Sequence, residues 1–290
     1  MFNHRPAHQF LLLAMLLSLL FSPLKAQAIQ EKPHTDHGMR IVSLSPNVTE
    51  TLFALGAGSS VVGRSDYCNY PNQVLALPSV GTLYNPSLET LLSLNPTLVI
   101  SSAFVDDQFL ASIQKAGIAV LQLNTQQTFQ GTYDLIRDIG EAVGRQEQAE
   151  LIILSMQNTV HQVVMSVQNL PKPSVYAVID FGGFDSTATG DTFFGDMIEL
   201  AGGSNVAKDA KNWTYSKELL MEKDPDLLLI SPRWGESGTQ TIAEFTAMKP
   251  YSDLQGEIRL IDADLISRQG PRSAQALASL ASVIHPELGK

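Results

Sequence analysis

The stretch PSLETLLSLNP, residues 86–96, returns in outline later in the chain as YSKELLMEKDP, residues 215–225. Four residue types occupy the same places in both copies: Ser87 and Ser216, Glu89 and Glu218, Leu91 and Leu220, Pro96 and Pro225. In each copy the run stops at a proline and passes into a β-rich stretch, TLVIS or DLLLIS. The pattern predicts a short helix that leads into a strand. Its repetition predicts two structurally related halves.

Short apolar runs alternate with helical patterns around both copies. RIVSLS (40–45) and SVYAVID (174–180) predict the first strand of each half. After the first of them, Asn47 is placed to cap a helix and Glu50 to complete a capping box. Strands that alternate with helices are typical of parallel sheets. We therefore expect an α/β fold made of two Rossmann-like lobes.

The middle of the chain has a different character. From Arg145 to Asn169 there is neither glycine nor proline, which predicts one long helix of roughly 37 Å. We expect an N-terminal lobe over 40–144, a connecting helix over 145–170 and a C-terminal lobe over 171–290. Two lobes on one strut leave a cleft between them, and small ligands bind in such clefts, beyond the carboxyl ends of the strands.

The first residues have the features of a secretory signal. Arg5 precedes the apolar run FLLLAMLLSLLF (10–21), and AQA (26–28) has the small residues of a cleavage site. The apolar run is too short to span a bilayer. We expect residues 1–28 to be removed, residues 29–39 to form a flexible N-terminus and the mature protein to be periplasmic without a lipid anchor. A single cysteine, Cys68, fits an exported protein that has no disulfide.

Few features point to catalysis or to a metal. The chain lacks the GxSxG, P-loop and HExxH motifs, and none of its histidines falls in a predicted strand-to-helix loop. We therefore expect no catalytic residues and no protein-made metal site. A secreted α/β enzyme that uses the aspartates around Gly182 and Gly183 is the less favoured alternative. The net charge of −10 without a basic run argues against nucleic acid as a partner.

Aromatic and arginine side chains collect in the predicted loops. Aromatic rings there offer rigid apolar contact, and arginines pair with carboxylates or phosphates. The candidate ligand-binding residues are Arg64, Tyr67, Tyr70 and Tyr84 in the first half, and Phe181, Phe184, Trp213, Arg233, Trp234 and Arg268 in the second.

Three stretches carry a family resemblance: RIVSLSPNVTETLFALGAGSSVVGRSDYCNYP (40–71), GTLYNPSLETLLSLNPTLVI (81–100) and RQGPRSAQALASLASVIHPE (268–287). They resemble the helical-strut class of periplasmic substrate-binding proteins, which deliver cobalamin, haem or iron–siderophore complexes to ABC importers. YCNYP and RQGPR look most like the cobalamin-binding branch. The resemblance spans nearly the whole of the expected mature chain.

The resemblance implies a monomer that captures a cargo and closes only slightly around it. It implies cobalamin as the ligand, with haem or an iron–siderophore as alternatives, and no cofactor of the protein's own. It also implies that Glu89 and Glu218, one on each lobe, dock onto arginines of a permease dimer in the inner membrane. Both glutamates lie in the first turn of their predicted helices, where a negative charge also stabilises the helix by roughly 0.3–1 kcal/mol.

Overall fold

The computed structural model describes residues 38–289 except 104, 234 and 263–267. The expected signal, residues 1–28, and nearly all of the expected flexible N-terminus lie outside the described residues, as does Trp234. Residues 38–290 form one compact unit. Two four-stranded parallel sheets organise this unit, as the alternating sequence pattern predicts.

The two sheets have the same strand order. The first runs β2-β1-β3-β4 and the second β6-β5-β7-β8, with every neighbouring pair parallel. The strands are β1 Ile41–Ser43, β2 Val61–Arg64, β3 Leu98–Ser101, β4 Ala119–Gln122, β5 Ser174–Val178, β6 Ser204–Asn205, β7 Leu227–Ile230 and β8 Glu257–Leu260. The repeat seen in a short helix–strand stretch therefore extends to the order of both sheets.

Nine α-helices connect and cover the strands in the described part of the chain. They are α1 Pro46–Ala54, α2 Leu88–Ser93, α3 Asp107–Lys115, α4 Phe129–Ala142, α5 Gln146–Val167, α6 Phe193–Leu200, α7 Lys217–Lys223, α8 Gly238–Ala247 and α9 Ser273–Ile284. The connecting helix is α5, with 22 residues and a length of about 33 Å. It lies between the two sheets in chain order, as predicted.

The repeated helices α2 and α7 match in detail. Ser87 Oγ accepts the amide of Thr90, and Ser216 Oγ accepts the amide of Leu219, so both helices begin on a serine cap. Each helix is followed by a residue in the left-handed region, Asn95 with φ 47° and Asp224 with φ 39°. The proline that follows ends the helix and leads the chain into β3 or β7.

One core is shared by both halves. Alternate residues of the strands point to opposite faces: Ile41 of β1 and Val175 of β5 belong to a single continuous cluster that also includes residues of α1, α4, α5, α6 and α9. Val42 and Tyr176 instead face two separate outer clusters, one for each sheet. Because the central cluster spans both sheets, the halves pack as one body around α5 and α9.

The expected capping box at α1 is wrong. The helix begins two residues earlier than an Asn47 cap would place it, at Pro46 after Ser45, and no side chain caps it. Asn47 instead receives a hydrogen bond from Ser102 Oγ at 2.6 Å and donates to the carbonyl of Gln269 at 3.1 Å. Glu50 instead pairs with two arginines, Arg268 and Arg272, as described below. Long-range partners have replaced the local ones that the motif predicts.

Candidate functional site

The loops at the carboxyl ends of the two sheets contact each other. The Phe129 ring at the start of α4, beyond β4, lies 5.2 Å from the Phe193 ring at the start of α6, in the second half. The backbone amide of Phe193 donates to Gln127 Oε1 at 3.4 Å. Ligand sites of parallel α/β folds lie beyond this edge of the sheet. The candidate site is therefore built from these loops.

A buried carboxylate holds the end of the chain against the first half. Glu50 of α1 is 4% exposed. Its Oε1 and Oε2 accept two bonds from Arg272, at 2.7 and 2.8 Å, and Oε1 accepts a third from Arg268 at 3.1 Å. Hydrogen bonding to Glu50 raises the pKa of Arg272 further above its usual range, so this guanidinium stays charged. This geometry is a bidentate, charge-assisted pair with an added donor.

The loop that follows β2 is pinned beneath the same arginines. Arg268 donates to Asn69 Oδ1 at 2.7 Å, and the Arg272 guanidinium lies 3.9 Å from the centre of the Tyr70 ring. Cys68 anchors the loop, since its sulfur is fully buried and receives a hydrogen bond from Thr49 at 3.0 Å. Tyr70 remains 44% exposed. The loop therefore presents an aromatic face over a rigid, buried base.

A pocket of about 520 Å³ opens at the carboxyl ends of β5 and β7, within the usual range for ligand pockets. Its walls combine aromatic, acidic and basic side chains: Asp180, Phe181, Phe184, Pro232, Arg233 and Glu236. Most of them come from two loops, residues 180–186 after β5 and the turn that follows β7. Three predicted ligand residues, Phe181, Phe184 and Arg233, thus come together here.

Arg233 is already committed to partners within this pocket. Its Nη1 donates to Glu244 at 2.9 Å, its Nη2 donates to the carbonyl of Phe181 at 3.0 Å, and its Nε lies 3.4 Å from Asp180 Oδ1. The guanidinium also lies 4.0 Å from the centre of the Phe181 ring. Arg233 therefore fixes the shape of the pocket, and its positive charge is matched by acids.

The two predicted phenylalanines have different surroundings. Phe181 is 3% exposed and packs against Phe245 at 5.1 Å and Tyr251 at 6.0 Å, in the outer core of the second sheet. Phe184 is 65% exposed at the tip of the same loop. Only Phe184 has its ring available to a ligand. The sequence could not separate them, because the two phenylalanines flank the same pair of glycines, Gly182 and Gly183, just after the strand.

Trp213 is held in an unusual backbone conformation. Asn212 and Trp213 are consecutive non-glycine residues with φ of 58° and 62°, which L-residues seldom adopt. The Trp213 carbonyl accepts the amide of Thr187 at 2.9 Å, and its amide donates to Thr189 Oγ1 at 3.2 Å. Strain of this kind is concentrated at functional sites. These bonds fix the backbone from which the partly exposed indole projects.

The remaining predicted residues are placed less centrally. Arg64 turns onto the backbone and donates to the carbonyls of Val74 and Ser65. Tyr67 is half-buried in the loop before Cys68, and Tyr84 is 85% exposed in the segment that leads to α2. The structure gives Arg64 a backbone-bracing role and leaves Tyr84 without a described contact to the pocket residues.

Sequence reasoning missed two residues of the site, Glu50 and Arg272. Both stand inside the stretches that carry the family resemblance, SPNVTE and RQGPR. An acid and a pair of arginines could have been matched as charge partners. They are separated by most of the chain, however, and only the fold brings them together.

Glu89 and Glu218 are exposed in the first turns of α2 and α7. Ser216 Oγ donates to Glu218 Oε2 at 2.6 Å, and this bond lowers the pKa of Glu218 below its usual range. The carboxylate is therefore firmly negative at neutral pH. Each repeat thus presents an exposed glutamate in the first turn of a serine-capped helix.

Two features are absent from the described residues. No cluster of three or more histidine, cysteine, aspartate or glutamate side chains could hold a metal ion there. Nor is any helix in that part of the chain long and apolar enough to cross a membrane.

Comparison with known proteins places the fold in a class. The periplasmic binding protein family model matches residues 41–251. The chain belongs to this family and is a substrate-binding protein. The structure of the apo form of the periplasmic haem-binding protein RhuT from Roseiflexus sp. RS-1 superposes with a TM-score of 0.75 at 27% identity, covering 86% of this chain and 98% of that one. The two-lobed α/β fold is thereby confirmed.

Sequence relatives span much the same part of the chain. An uncharacterized ABC transporter substrate-binding lipoprotein, YvrC of Bacillus subtilis (strain 168), is 29% identical over 261 residues, 87% of this chain and 81% of that protein. A cobalamin-binding protein of Halobacterium salinarum is 25% identical over 258 residues, 85% of this chain and 69% of that protein. Similar proteins therefore include both a haem binder and a cobalamin binder.

Proposed function

We propose that this protein is the substrate-binding protein of an ABC importer and that its cargo is cobalamin. The observation that favours cobalamin over haem is that three arginines near the candidate site are already paired with carboxylates. Arg233 faces Asp180 and Glu244, and Arg268 and Arg272 share Glu50. Haem brings two carboxylates that need cationic partners, whereas a corrinoid is fringed by neutral amides. Exposed rings such as Phe184, Trp213 and Tyr70 suit its large apolar faces.

Titration calorimetry with the mature protein and cyanocobalamin tests this proposal. We expect saturable binding at micromolar concentration or below, and a decrease in affinity for Phe184→Ala and Trp213→Ala. Lys249→Met, on the surface of the same half, serves as the control. Absence of heat at tens of micromolar cyanocobalamin would contradict cobalamin as the cargo.

Haem is the second candidate, because one observation favours it. Tyr70 is partly exposed beside the Arg272 guanidinium, and a tyrosine oxygen can ligate haem iron. Haemin would then give a shifted Soret band that Tyr70→Phe abolishes. An iron–siderophore is the third candidate. It is tested by a separate titration with a ferric siderophore, in which binding should quench Trp213 fluorescence.

We propose that Glu89 and Glu218 dock onto a permease dimer. Their support is the matched geometry of α2 and α7, each with a serine cap and an exposed acid. Replacing both with alanine should leave the affinity for cargo unchanged and reduce cargo-stimulated ATP hydrolysis by the reconstituted importer. Glu147→Ala, an exposed acid in the first turn of α5, is the matched control. A decrease in cargo affinity instead would assign both glutamates to the binding site.

We propose that the protein acts as a monomer in the periplasm after removal of residues 1–28, and that it is not an enzyme. The aspartates that an enzyme would use near Gly182 and Gly183 are engaged: Asp180 with Arg233 and Asp185 with Lys217. Cell fractionation with N-terminal sequencing, and gel filtration of the mature chain, test the first two points. Turnover of an ester or phosphoester by the purified protein would contradict the third.

A further inference from the structure

The loop at residues 180–186, here called the aromatic loop, is a closed turn. Its two ends pair in antiparallel fashion, since the amide of Ser186 donates to the carbonyl of Asp180 at 3.0 Å and the amide of Ile179 donates to the carbonyl of Ser186 at 3.0 Å. The tip carries the exposed Phe184 ring into the pocket wall. The shape of the loop therefore decides where this ring stands.

The carboxylate of Asp185 organises the inside of the loop. Its Oδ1 accepts the amide of Gly182 at 2.8 Å and the hydroxyl of Tyr251 at 2.6 Å. Its Oδ2 lies 2.8 Å from Nζ of Lys217. The side chain of Asp185 is only 13% exposed, and a poorly solvated carboxylate needs such partners. Tyr251 is buried in the outer core, so one side of the loop is fixed to the body of the second half.

Lys217 connects the other side of the loop to the repeated helix. It is the first residue of α7, directly before Glu218. The bond to Asp185 raises the pKa of Lys217 above its usual range, so the ammonium group stays charged at neutral pH. One ion pair therefore joins the loop that carries Phe184 to the helix turn that carries Glu218.

The first half has no equivalent ion pair at the aligned position. There the residue before Glu89 is Leu88, a half-buried side chain that packs against the outer core of the first sheet. Everything around it repeats: the serine cap, the glutamate, the left-handed residue and the proline. The two repeats thus differ at Lys217, which is the residue of α7 that contacts the aromatic loop.

We propose that Lys217 is a positioning residue that ties the aromatic loop to α7, so that a cargo molecule seated against Phe184 changes the order of the helix turn that bears Glu218. The inference rests on the proposed function, which supplies the cargo and the docking role. The coupling runs in both directions because linkage between two sites is reciprocal. Substitutions along a connection of this kind change an equilibrium by roughly two- to thirtyfold.

Hydrogen exchange on the cargo-free protein tests the tie itself. In Lys217→Met we expect the Gly182 amide to exchange about three- to tenfold faster, since its acceptor loses a partner. In Asp185→Asn we expect faster exchange of the Leu219 and Leu220 amides in α7. Lys217→Arg should restore wild-type exchange, and Lys249→Met, which removes another lysine–aspartate pair of the same half, should change neither segment. Unchanged α7 amides in Asp185→Asn would overturn the inference, because a purely local role moves the loop alone.

Cargo addition separates this inference from the proposed function. With cyanocobalamin, and separately with haemin, we expect slower exchange in residues 217–223 of the wild-type protein and no such response in Lys217→Met. An equal response in both proteins would overturn the inference while leaving the cargo proposal intact. If the wild-type protein binds neither compound, the cargo proposal fails, and the cargo-free exchange data decide whether Lys217 ties the loop to α7.

Discussion

Phe181 and Phe184 show how one loop divides its aromatic residues between stability and binding. The first ring is enclosed by Phe245, Tyr251 and the Arg233 guanidinium, and the second stands in solvent at the pocket. Only the contacts of distant segments distinguish the two positions. The distinction sets different expectations for the same substitution.

Phe181→Ala should destabilise the protein by about 3–5 kcal/mol, because it removes a fully buried ring and leaves a cavity. Phe184→Ala should change stability by less than about 0.5 kcal/mol and weaken cyanocobalamin binding. Urea denaturation and calorimetry measure the two effects. A large loss of stability in Phe184→Ala would show that this ring is part of the core.

Trp213 allows a test of backbone strain. Glycine usually destabilises a chain relative to alanine by roughly 0.5–1 kcal/mol, but at φ 62° alanine carries a steric penalty that glycine lacks. We therefore expect Trp213→Gly to be more stable than Trp213→Ala by about 1 kcal/mol, with both variants impaired in cargo binding. Urea midpoints compare them. Equal or greater stability of the alanine variant would mean that the strain is relaxed in solution.

At the scale of elements, a side chain just before β3 and another just before β7 each accept hydrogen bonds from the neighbouring strand or the residue before it. The two acceptors occupy equivalent positions in the repeat but differ in charge. Before β3, Thr97 Oγ1 accepts the amide of Arg40 at 2.9 Å. Before β7, Asp226 Oδ2 accepts the amide and the hydroxyl of Ser174 at 2.7 and 2.6 Å. Both halves therefore have this hydrogen bond, with the neutral acceptor Thr97 in the first half and the charged acceptor Asp226 in the second.

Low pH should therefore weaken the hydrogen bonds to Asp226 and leave the bond to Thr97 unchanged. Bonding from Ser174 lowers the pKa of Asp226 below its ordinary value. The stability that this carboxylate contributes is present above the ordinary pKa of aspartate and is lost as the pH falls through the lowered value. We expect Asp226→Thr to be less stable than wild type by about 1 kcal/mol at pH 7, with the difference shrinking below pH ~4. Thermal melts at several pH values measure it, and a difference that is constant with pH would contradict the anchor role.

The sequence predicted the elements with clear periodicity and missed those without it. The strands β1, β3, β5 and β7 and the helices α2, α5 and α7 all lie where the pattern places them. Helix α4 was not expected, since Gly131 and Gly140 weaken its helical pattern. The structure explains one of them: a Cβ on Gly140 would lie 2.7 Å from Cβ of Ala149, so glycine there permits close packing of α4 on α5.

At the scale of the whole molecule, the two halves are joined by more than the connecting helix. A continuous core runs between the sheets, and the segment at residues 268–272 reaches back to the first half. Gln269, which is buried, donates to the carbonyl of Gln126 at 2.7 Å. Small closure on cargo binding, which the family resemblance implies, remains a prediction that this packing supports.

Substitution of Glu50 tests how much the contact between residues 268–272 and the first half stabilises the protein. Glu50→Gln leaves Arg268 and Arg272 without their buried carboxylate, and breaking such a pair by removing one partner destabilises by about 3–5 kcal/mol. Glu150→Gln is the matched control, because Glu150 pairs with Arg137 on the surface, where solvent screening leaves an ion pair little effect on stability. Chemical denaturation compares the two variants. Equal, small effects would show that the shared core alone holds the halves together.

The sequence by itself determined the parallel α/β pattern, its duplication and the paired glutamates, because these depend on local periodicity, caps and prolines that lie close together in the chain. Only the tertiary structure decided which aromatic rings are exposed, where Glu50 is directed and that Lys217 reaches Asp185. Those outcomes depend on contacts between segments far apart in sequence, and a loop side chain takes its direction from them rather than from its neighbours.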